Sequence, residues 1–381
     1  MRRLVLLLSI VVGLDIMFFA ALVPLLPHFA SHYGLSKSGA GVLTAVYAAG
    51  VLTASVPGGM AASRLGPRAA VLGGVALTTA SSFAFALAGT SWTLGIARLL
   101  QGIGSAFSWS GALAWLVAAA PRERRGALIG ATMGAAVFGA LLGPVVGAIA
   151  TVAGVRGTFL GVGVLGALLC AWVLVTPGVP AQPQPLSALL RSDTRVLGGM
   201  WLILLPALLF GVVDVLVPLT LHDGGWGGVA IGAVFLVTAG IETVLNPYLG
   251  RFTDRHGRLM PVRIALLGSV VVSLAFAWAD TAAVVAALVL LAGLSYGAFY
   301  TPAMALVSDG AERQNIAPGL VFGAMNAAWA AGNVVGPAVG GWLGETAGDS
   351  LPYLLLAGIC LLTLTATYSR PALPPAEVAA E

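Results

Sequence analysis

Four ionisable side chains, Asp15, Arg98, Asp214 and Glu242, lie within long runs of apolar residues. In hydrocarbon each costs about 2.5 to 3.5 kcal/mol or more, so such a group tends to persist only with a partner or a task. A buried carboxyl that takes and gives up a proton as its surroundings change is the chemistry these residue types suit. At about 1.5 Å per helical residue, Asp15 lies roughly 16 Å into its segment and Arg98 roughly 9 Å from the far end of its own. A long Arg side chain can close that gap. Asp15 is therefore expected to bind and release a proton, with Arg98, supported by Gln101, favouring the ionised form until a proton or a ligand competes. A static ion pair is the alternative. Asp214 and Glu242 have no base at matching depth, and each could carry a proton or face a wet cavity. Three acids against one base suit a cationic amphiphile. Trp109, Phe138, Tyr296, Phe299, Tyr300 and Trp329, with Asn326 and Asn333, are candidate linings for it, although aromatics on such helices also face lipid or pack.

The elements that carry these groups follow from composition. Of 381 residues, 59% are hydrophobic and 8% charged, against about 45–50% and about 25% in soluble domains. Twelve apolar segments are long enough to cross a bilayer, near 4–26, 39–61, 70–88, 92–118, 126–149, 157–176, 196–220, 228–249, 261–279, 282–307, 316–341 and 351–369. The first is too long for a cleaved leader and is expected to remain as a spanning helix. Fifteen arginines, at 2, 3, 64, 68, 122, 124, 125, 191, 195, 251, 255, 258, 263, 313 and 370, fall on one side of this arrangement. Only Lys37 and Arg156 fall opposite. That bias places both termini in the cytoplasm. It also accounts for the net charge of +4 without invoking nucleic acid. Cys170 and Cys360 read as small packing residues. His28, His32, His222 and His256 read as loop residues without metal-ligand spacing, and no metal site is expected.

The chain repeats itself. Gly59-Met-Ala-Ala-Ser63-Arg64-Leu-Gly66-Pro67-Arg68, read as the loop after the second segment, returns after the eighth as Gly250-Arg-Phe-Thr-Asp254-Arg255-His-Gly257-Arg258, an offset of 191. The fifth segment carries Gly130, Gly139, Gly143, Pro144 and Gly147, and the eleventh carries Gly323, Gly332, Gly336, Pro337, Gly340 and Gly341, at an offset of 193. Two motifs recurring at nearly one period divide the chain into a six-helix unit at 1–176, a Pro-rich linker at 177–194, a second unit at 195–370 and a tail at 371–381. The predicted fold is an all-α membrane protein of twelve transmembrane helices in two pseudo-symmetric six-helix bundles. Glycines every four residues line one helix face and let another backbone approach closely, while Pro144 favours a bend. The matched pair is expected to form the seams at which the two bundles shift.

These residues carry a resemblance. The two ten-residue stretches are similar to motif A of the major facilitator superfamily, Arg98-Leu-Leu-Gln101-Gly102-Ile-Gly104 resembles its motif B, and the fifth-segment glycines ending in Gly143-Pro144-Val-Val-Gly147 resemble motif C of its drug/proton antiporter branch. The resemblance implies a central cavity, alternating access and a substrate bound near the midplane between the halves. It also implies a cytoplasmic gate at Gly59, Arg64, Gly66, Arg68, Gly250, Asp254, Arg255, Gly257 and Arg258, in which the acid latches the halves together. Ser63 stands where the family has its first acid, so Asp254 is expected to be the main latch. The expected protein is a monomeric secondary transporter of the cell inner membrane, exporting a small amphiphilic or drug-like compound in exchange for protons, with no other cofactor. A sugar or metabolite permease and a non-transporting receptor are the alternatives. Gly161-Val-Gly163-Val-Leu-Gly166 and Gly293-Leu-Ser295-Tyr-Gly297 imitate a dinucleotide fingerprint and a nucleophile elbow. Both fall inside apolar segments without the strand and turn those motifs need, so no enzyme is expected.

Overall fold

A computed structural model describes residues 1–121, 124–181, 194–257, 259–314 and 318–368; the side chains of residues 125–127, 194–195, 246–247, 254, 256 and 318–320 fall outside the description. Among the described residues the chain is helical throughout, with no strand. The helices are α1 (Arg2–Ala20), α2 (Leu22–Tyr33), α3 (Lys37–Arg64), α4 (Pro67–Ala86), α5 (Ser91–Ala119), α6 (Arg125–Ala153) and α7 (Val155–Val175). They continue as α8 (Thr194–Asp223), α9 (Gly228–His256), α10 (Leu259–Ala277), α11 (Ala282–Tyr296), α12 (Tyr300–Arg313), α13 (Pro318–Thr346) and α14 (Ser350–Tyr368). Pro24 cannot donate to the carbonyl four residues back, and the first crossing breaks at Ala21 into α1 and α2. The crossing made by α11 and α12 is interrupted by a 3₁₀ turn over Gly297–Phe299.

Among the described residues eleven stretches are long and apolar enough to cross a membrane, counting α1 with α2 and α11 with α12 as one each. The twelfth expected crossing, α13, has 29 residues, but Asn326, Asn333 and its many glycines dilute its apolar character. It packs against α3 and α8, and Asn333 satisfies its amide on its own helix, at the Trp329 carbonyl.

The repeated motif stretches are not loops. Gly59 to Arg64 form the last two turns of α3, and Gly250 to Arg255 lie within α9. What ends each helix is a glycine in the left-handed half of backbone space, Gly66 at φ 96° and Gly257 at φ 77°, a conformation other residues adopt only at a cost. Asp254 thus sits in a final helical turn; its side chain and Arg258 lie outside the described residues, as do Arg122, Arg191 and Arg370. The histidines also depart from expectation: His28 and His32 belong to α2 and His222 to α8.

The glycine seams pack within each half, not between halves. A side chain at Gly139 would strike the Gly13 backbone, one at Gly143 would strike Ala20, and one at Gly147 would strike Ala21 and Pro24, so this face of α6 serves α1 and α2. In the second half Gly332, Gly336 and Gly340 serve α8 at Leu204, Leu208 and Val212. Four-residue spacing identifies a smooth face but not which neighbour it meets. The junction between halves uses the prolines of the same two motifs and Gly341. Gly41 and Gly341 bring α3 and α13 together beside Pro337, and Gly232 of α9 lies against the Pro144 carbonyl of α6. Arg68 gives its Nε–H to the Val173 carbonyl at 3.2 Å and its guanidinium to Leu174. It therefore caps the end of α7, where unpaired carbonyls and the helix dipole favour a cation. Arg263 repeats the device on α14 through Thr367.

The tight approaches between halves lie on the face opposite the chain termini. There Lys37 Nζ meets both carboxylate oxygens of Asp349 at 2.7 Å, and Glu345 accepts from the Ser38 amide at 2.9 Å at the N-terminus of α3, where backbone N–H groups favour an anion. Lys37 and Asp349 are partly exposed, so that pair is worth about 0–1 kcal/mol and weakens in salt, and Glu345 is exposed. Asp349→Asn combined with Glu345→Gln should raise labelling of a cysteine placed at Ala40 up to several-fold, and high salt should reproduce part of the gain in the parent protein. Within the α8–α13 seam, Gly336→Val should lower stability by about 1–3 kcal/mol through overpacking against Leu208. Gly130→Ala, with open space around it, should leave the melting temperature in detergent unchanged.

Candidate functional site

Glycines set the site's geometry before any polar group does. Gly102 of α5 lies against the Tyr47 carbonyl of α3, and Gly50 of α3 lies against Leu99 and Gly102. With no side chains between them, the two backbones touch, and Tyr47 is carried beside Arg98 and Ser105. On its other side α5 uses Gly104 and Gly111 to approach α4 at Gly74, Thr78 and Val71. The residues resembling motif B are therefore both the packing surface and the floor of the site.

Asp15 is 2% exposed and answered by dipoles rather than by a cation. Its Oδ2 accepts from Ser105 Oγ at 2.6 Å and from Trp109 Nε1 at 3.0 Å, with the Tyr47 hydroxyl at 3.3 Å. Tyr47 has one proton to give, and its shorter contact is to Ser105 at 2.8 Å, so a chain runs from Tyr47 through Ser105 to Asp15. Arg98 is fully buried. The direct Asp15–Arg98 pair allowed by the sequence is not formed: among the described residues the ion pair within 4 Å is Lys37–Asp349. Arg98 Nη1 donates instead to Gln101 Oε1 at 2.7 Å, and its guanidinium lies 5.0 Å over the Tyr47 ring and 5.9 Å over Phe19. The expected support from Gln101 is present. The link to Asp15 passes through Tyr47, a cation over one face of the ring whose hydroxyl serves the acid. Tyr47 and Ser105 are functional candidates that the sequence left unmarked; Ser105 stands four residues after Gln101 and seven after Arg98 on α5, whereas Tyr47, on α3, has no such spacing to show it.

The other two acids share one place. Glu242 feels the charge of Asp214, and Tyr300 feels both. The Glu242 carboxylate lies along α11 where Gly293 and Gly297 leave a bed: a Cβ on Gly293 would be 3.1 Å from Oε1, and one on Gly297 would be 3.2 Å from Oε2. The stretch that imitates a nucleophile elbow is thus a cradle for a carboxylate, set at the 3₁₀ turn that interrupts the crossing. Asp214, Glu242, Tyr300, Asn326 and Trp329 are all half-buried, and Trp329 reaches the first half at Phe19, with ring centroids 5.4 Å apart. Through Trp329 and Phe19 the second half meets the cluster that holds Tyr47 in the first.

Tyr296 and Phe299, expected as lining, lie elsewhere. Tyr296 is fully buried and bonded to Ser273 at 2.8 Å, with Phe210 edge-on to its ring, so it belongs to the packing of the second half. Phe299 is likewise enclosed. Phe138 is 60% exposed, on the side of α6 that carries Ile149 and Val152, which line a groove shared with Val229, Gly232 and Leu236 of α9. Trp109 is spent on Asp15, and Asn333 binds the Trp329 carbonyl at 3.2 Å.

Comparison with known proteins agrees with this architecture. The pattern of the Major Facilitator Superfamily matches residues 8–322. A probable vesicular acetylcholine transporter-B of Danio rerio is 32% identical over 137 residues, 35% of this chain and 27% of that protein. Multidrug resistance protein 1 of Bacillus subtilis (strain 168) is 29% identical over 153 residues, 40% of this chain and 38% of that protein. The class E tetracycline resistance protein of Escherichia coli is 29% identical over 173 residues, 44% and 41% of the two chains. The matches thus span about a quarter to two fifths of these curated relatives. Among solved structures, a D-xylose-proton symporter superposes with a TM-score of 0.76 at 18% identity, covering 97% of each chain. A bacterial homolog to the human lysosomal transporter Spinster gives 0.76 at 13%, covering 96% of each. At such identities the likeness is one of fold. With its helical architecture and a family match over most of its length in accord, the chain belongs to the major facilitator superfamily of multi-pass membrane transporters.

Proposed function

We propose that this transporter exports a small amphiphilic, drug-like compound in exchange for protons, working as a monomer in the cell inner membrane with both termini cytoplasmic. The observation that carries the reading is the Asp15 carboxyl, buried at mid-helix and held by Ser105, Trp109 and Tyr47 with no cation in contact. A carboxylate held only by neutral donors can be protonated without stranding a partner charge, which suits a group that must cycle. Arg98 senses the change through the Tyr47 ring. The printed names of the relatives, which speak of multidrug resistance, tetracycline resistance and vesicular acetylcholine transport, favour export of amphiphiles and organic cations. Asp214, Glu242, Tyr300 and Trp329 supply the acid and aromatic surface such a compound needs.

In this reading the units 1–176 and 195–370 rock about the site. The Lys37–Asp349 clasp holds one state, and Asp254, at the end of α9, latches the other by drawing on a positive partner across the halves. The D-xylose-proton symporter likeness keeps a sugar permease as the rival, since one fold supports many sites.

The test is reconstitution in liposomes holding a pH-sensitive dye, challenged with lipophilic cations, neutral drugs and sugars under a proton gradient. Proton movement driven by cations or drugs, abolished in Asp15→Asn, is the expected result. Proton-silent movement of a sugar would replace the reading with the permease. Glu242→Gln should raise KM for lipophilic cations about tenfold, the equivalent of about 1.4 kcal/mol, and leave KM for neutral substrates unchanged.

A further inference from the structure

The two oxygens of Asp15 have different surroundings. Oδ2 is occupied by Ser105 and Trp109, whereas Oδ1 is buried and has no hydrogen-bond partner. Asp15 also forms part of the wall of a small pocket enclosed by α1, α4, α5 and α7, whose volume of about 10 Å³ matches the room one water requires. Thr78 of α4 lines the same pocket, is 7% exposed and has a hydroxyl that is also buried without a partner. Of the other hydroxyls that border it, Thr79 is committed to the Val75 carbonyl at 2.7 Å and Ser82 to the Phe159 carbonyl at 2.8 Å, and Ser108 of α5 completes the lining. Gly104 keeps Thr78 in place, because a Cβ there would be 2.7 Å from its Oγ1. Two of the buried polar atoms left unpaired, Asp15 Oδ1 and Thr78 Oγ1, thus belong to residues that line one water-sized space, where native proteins pair nearly all such groups.

We propose that Thr78 is the residue that positions the proton of Asp15: the proton sits on Oδ1 and is hydrogen-bonded through one water to the Thr78 hydroxyl, on the side of α1 turned toward α4. This rests on the reading of Asp15 as a group that takes and gives up a proton. In the neutral form the Oδ1–H donates to the water and the water donates to Thr78. In the ionised form the proton has left for solvent, the water donates to Oδ1, and the Thr78 hydroxyl rotates to donate to the water. A hydroxyl can serve both states because it is donor and acceptor at once. The ionisable groups facing Asp15 are Tyr47 from α3 and Arg98 from α5; α4 and α7 bring none into the pocket, Cys170 lying behind Thr79 at 3.9 Å.

Infrared difference spectroscopy of the purified full chain between acidic and alkaline pH tests this. The protonated-carboxyl band of Asp15 is assigned by its loss in Asp15→Asn. In Thr78→Val the band should persist, move to higher frequency as its hydrogen bond weakens, and titrate at a shifted midpoint; Thr78→Ser should restore both. An unchanged band and midpoint in Thr78→Val would overturn the role of Thr78 while leaving Asp15 as the proton carrier. The absence of any Asp15 band in the parent protein would overturn the reading of Asp15 and this proposal with it. In the parent protein, a water O–H stretch that shifts in ¹⁸O water should appear with Asp15 protonation and vanish in Asp15→Asn. Its absence from the parent counts against the bound water whether or not the Thr78 variants fold.

Discussion

A charge inside hydrocarbon must be answered by oriented dipoles or by an opposite charge, and the layout of the first half follows from how that demand is met at Asp15 and Arg98. Neither neutralises the other by contact. The carboxylate takes neutral donors, the guanidinium takes an amide and two aromatic faces, and Tyr47 stands between them with its ring turned to one and its hydroxyl serving the other. That arrangement is possible only because α3 and α5 touch backbone to backbone at Gly50 and Gly102. Helices held apart by ordinary side chains would take Tyr47 from both groups, leaving Asp15 to Ser105 and Trp109 and Arg98 to Gln101.

The second half answers the same demand differently. Asp214 and Glu242 stand together, and among the described residues no base lies at their depth; they are half-buried rather than sealed. The Glu242 carboxylate lies in the bed that Gly293 and Gly297 leave on α11, at the 3₁₀ turn that interrupts that crossing. The asymmetry is chemical: the repeated scaffold carries a sealed carboxyl in one half and an accessible pair in the other.

Much of this was legible in the chain. Apolar runs and the two matched motifs gave the helical architecture, and the price of burying charge singled out Asp15, Arg98, Asp214 and Glu242. What could not be read was direction. The four-residue glycine stripes of α6 and α13 mark a smooth face without saying whether it meets its own half or the other, and they meet their own. Tyr47 and Ser105 are common residue types on membrane helices, and only the crossing of α3 and α5 turns them toward Asp15. Lys37 and Asp349 lie 312 positions apart, beyond the reach of local pattern. Helix ends were misplaced because the polar residues after Gly59 and Gly250 look like loop, whereas the chain turns only at the positive-φ glycines that follow.

Arg68 and Arg263 bear on how such a chain is made. Each ties the end of its own half's last helix to the third crossing of that half, α7 to α4 and α14 to α10, and neither reaches across. A nascent chain extended only through α7 can thus close its own bundle, cap its last helix and seat its glycine seam before α8 has left the ribosome. Synthesis adds residues at about 5–20 per second, so the first half has several seconds in the bilayer to settle its buried charges without competition from the second.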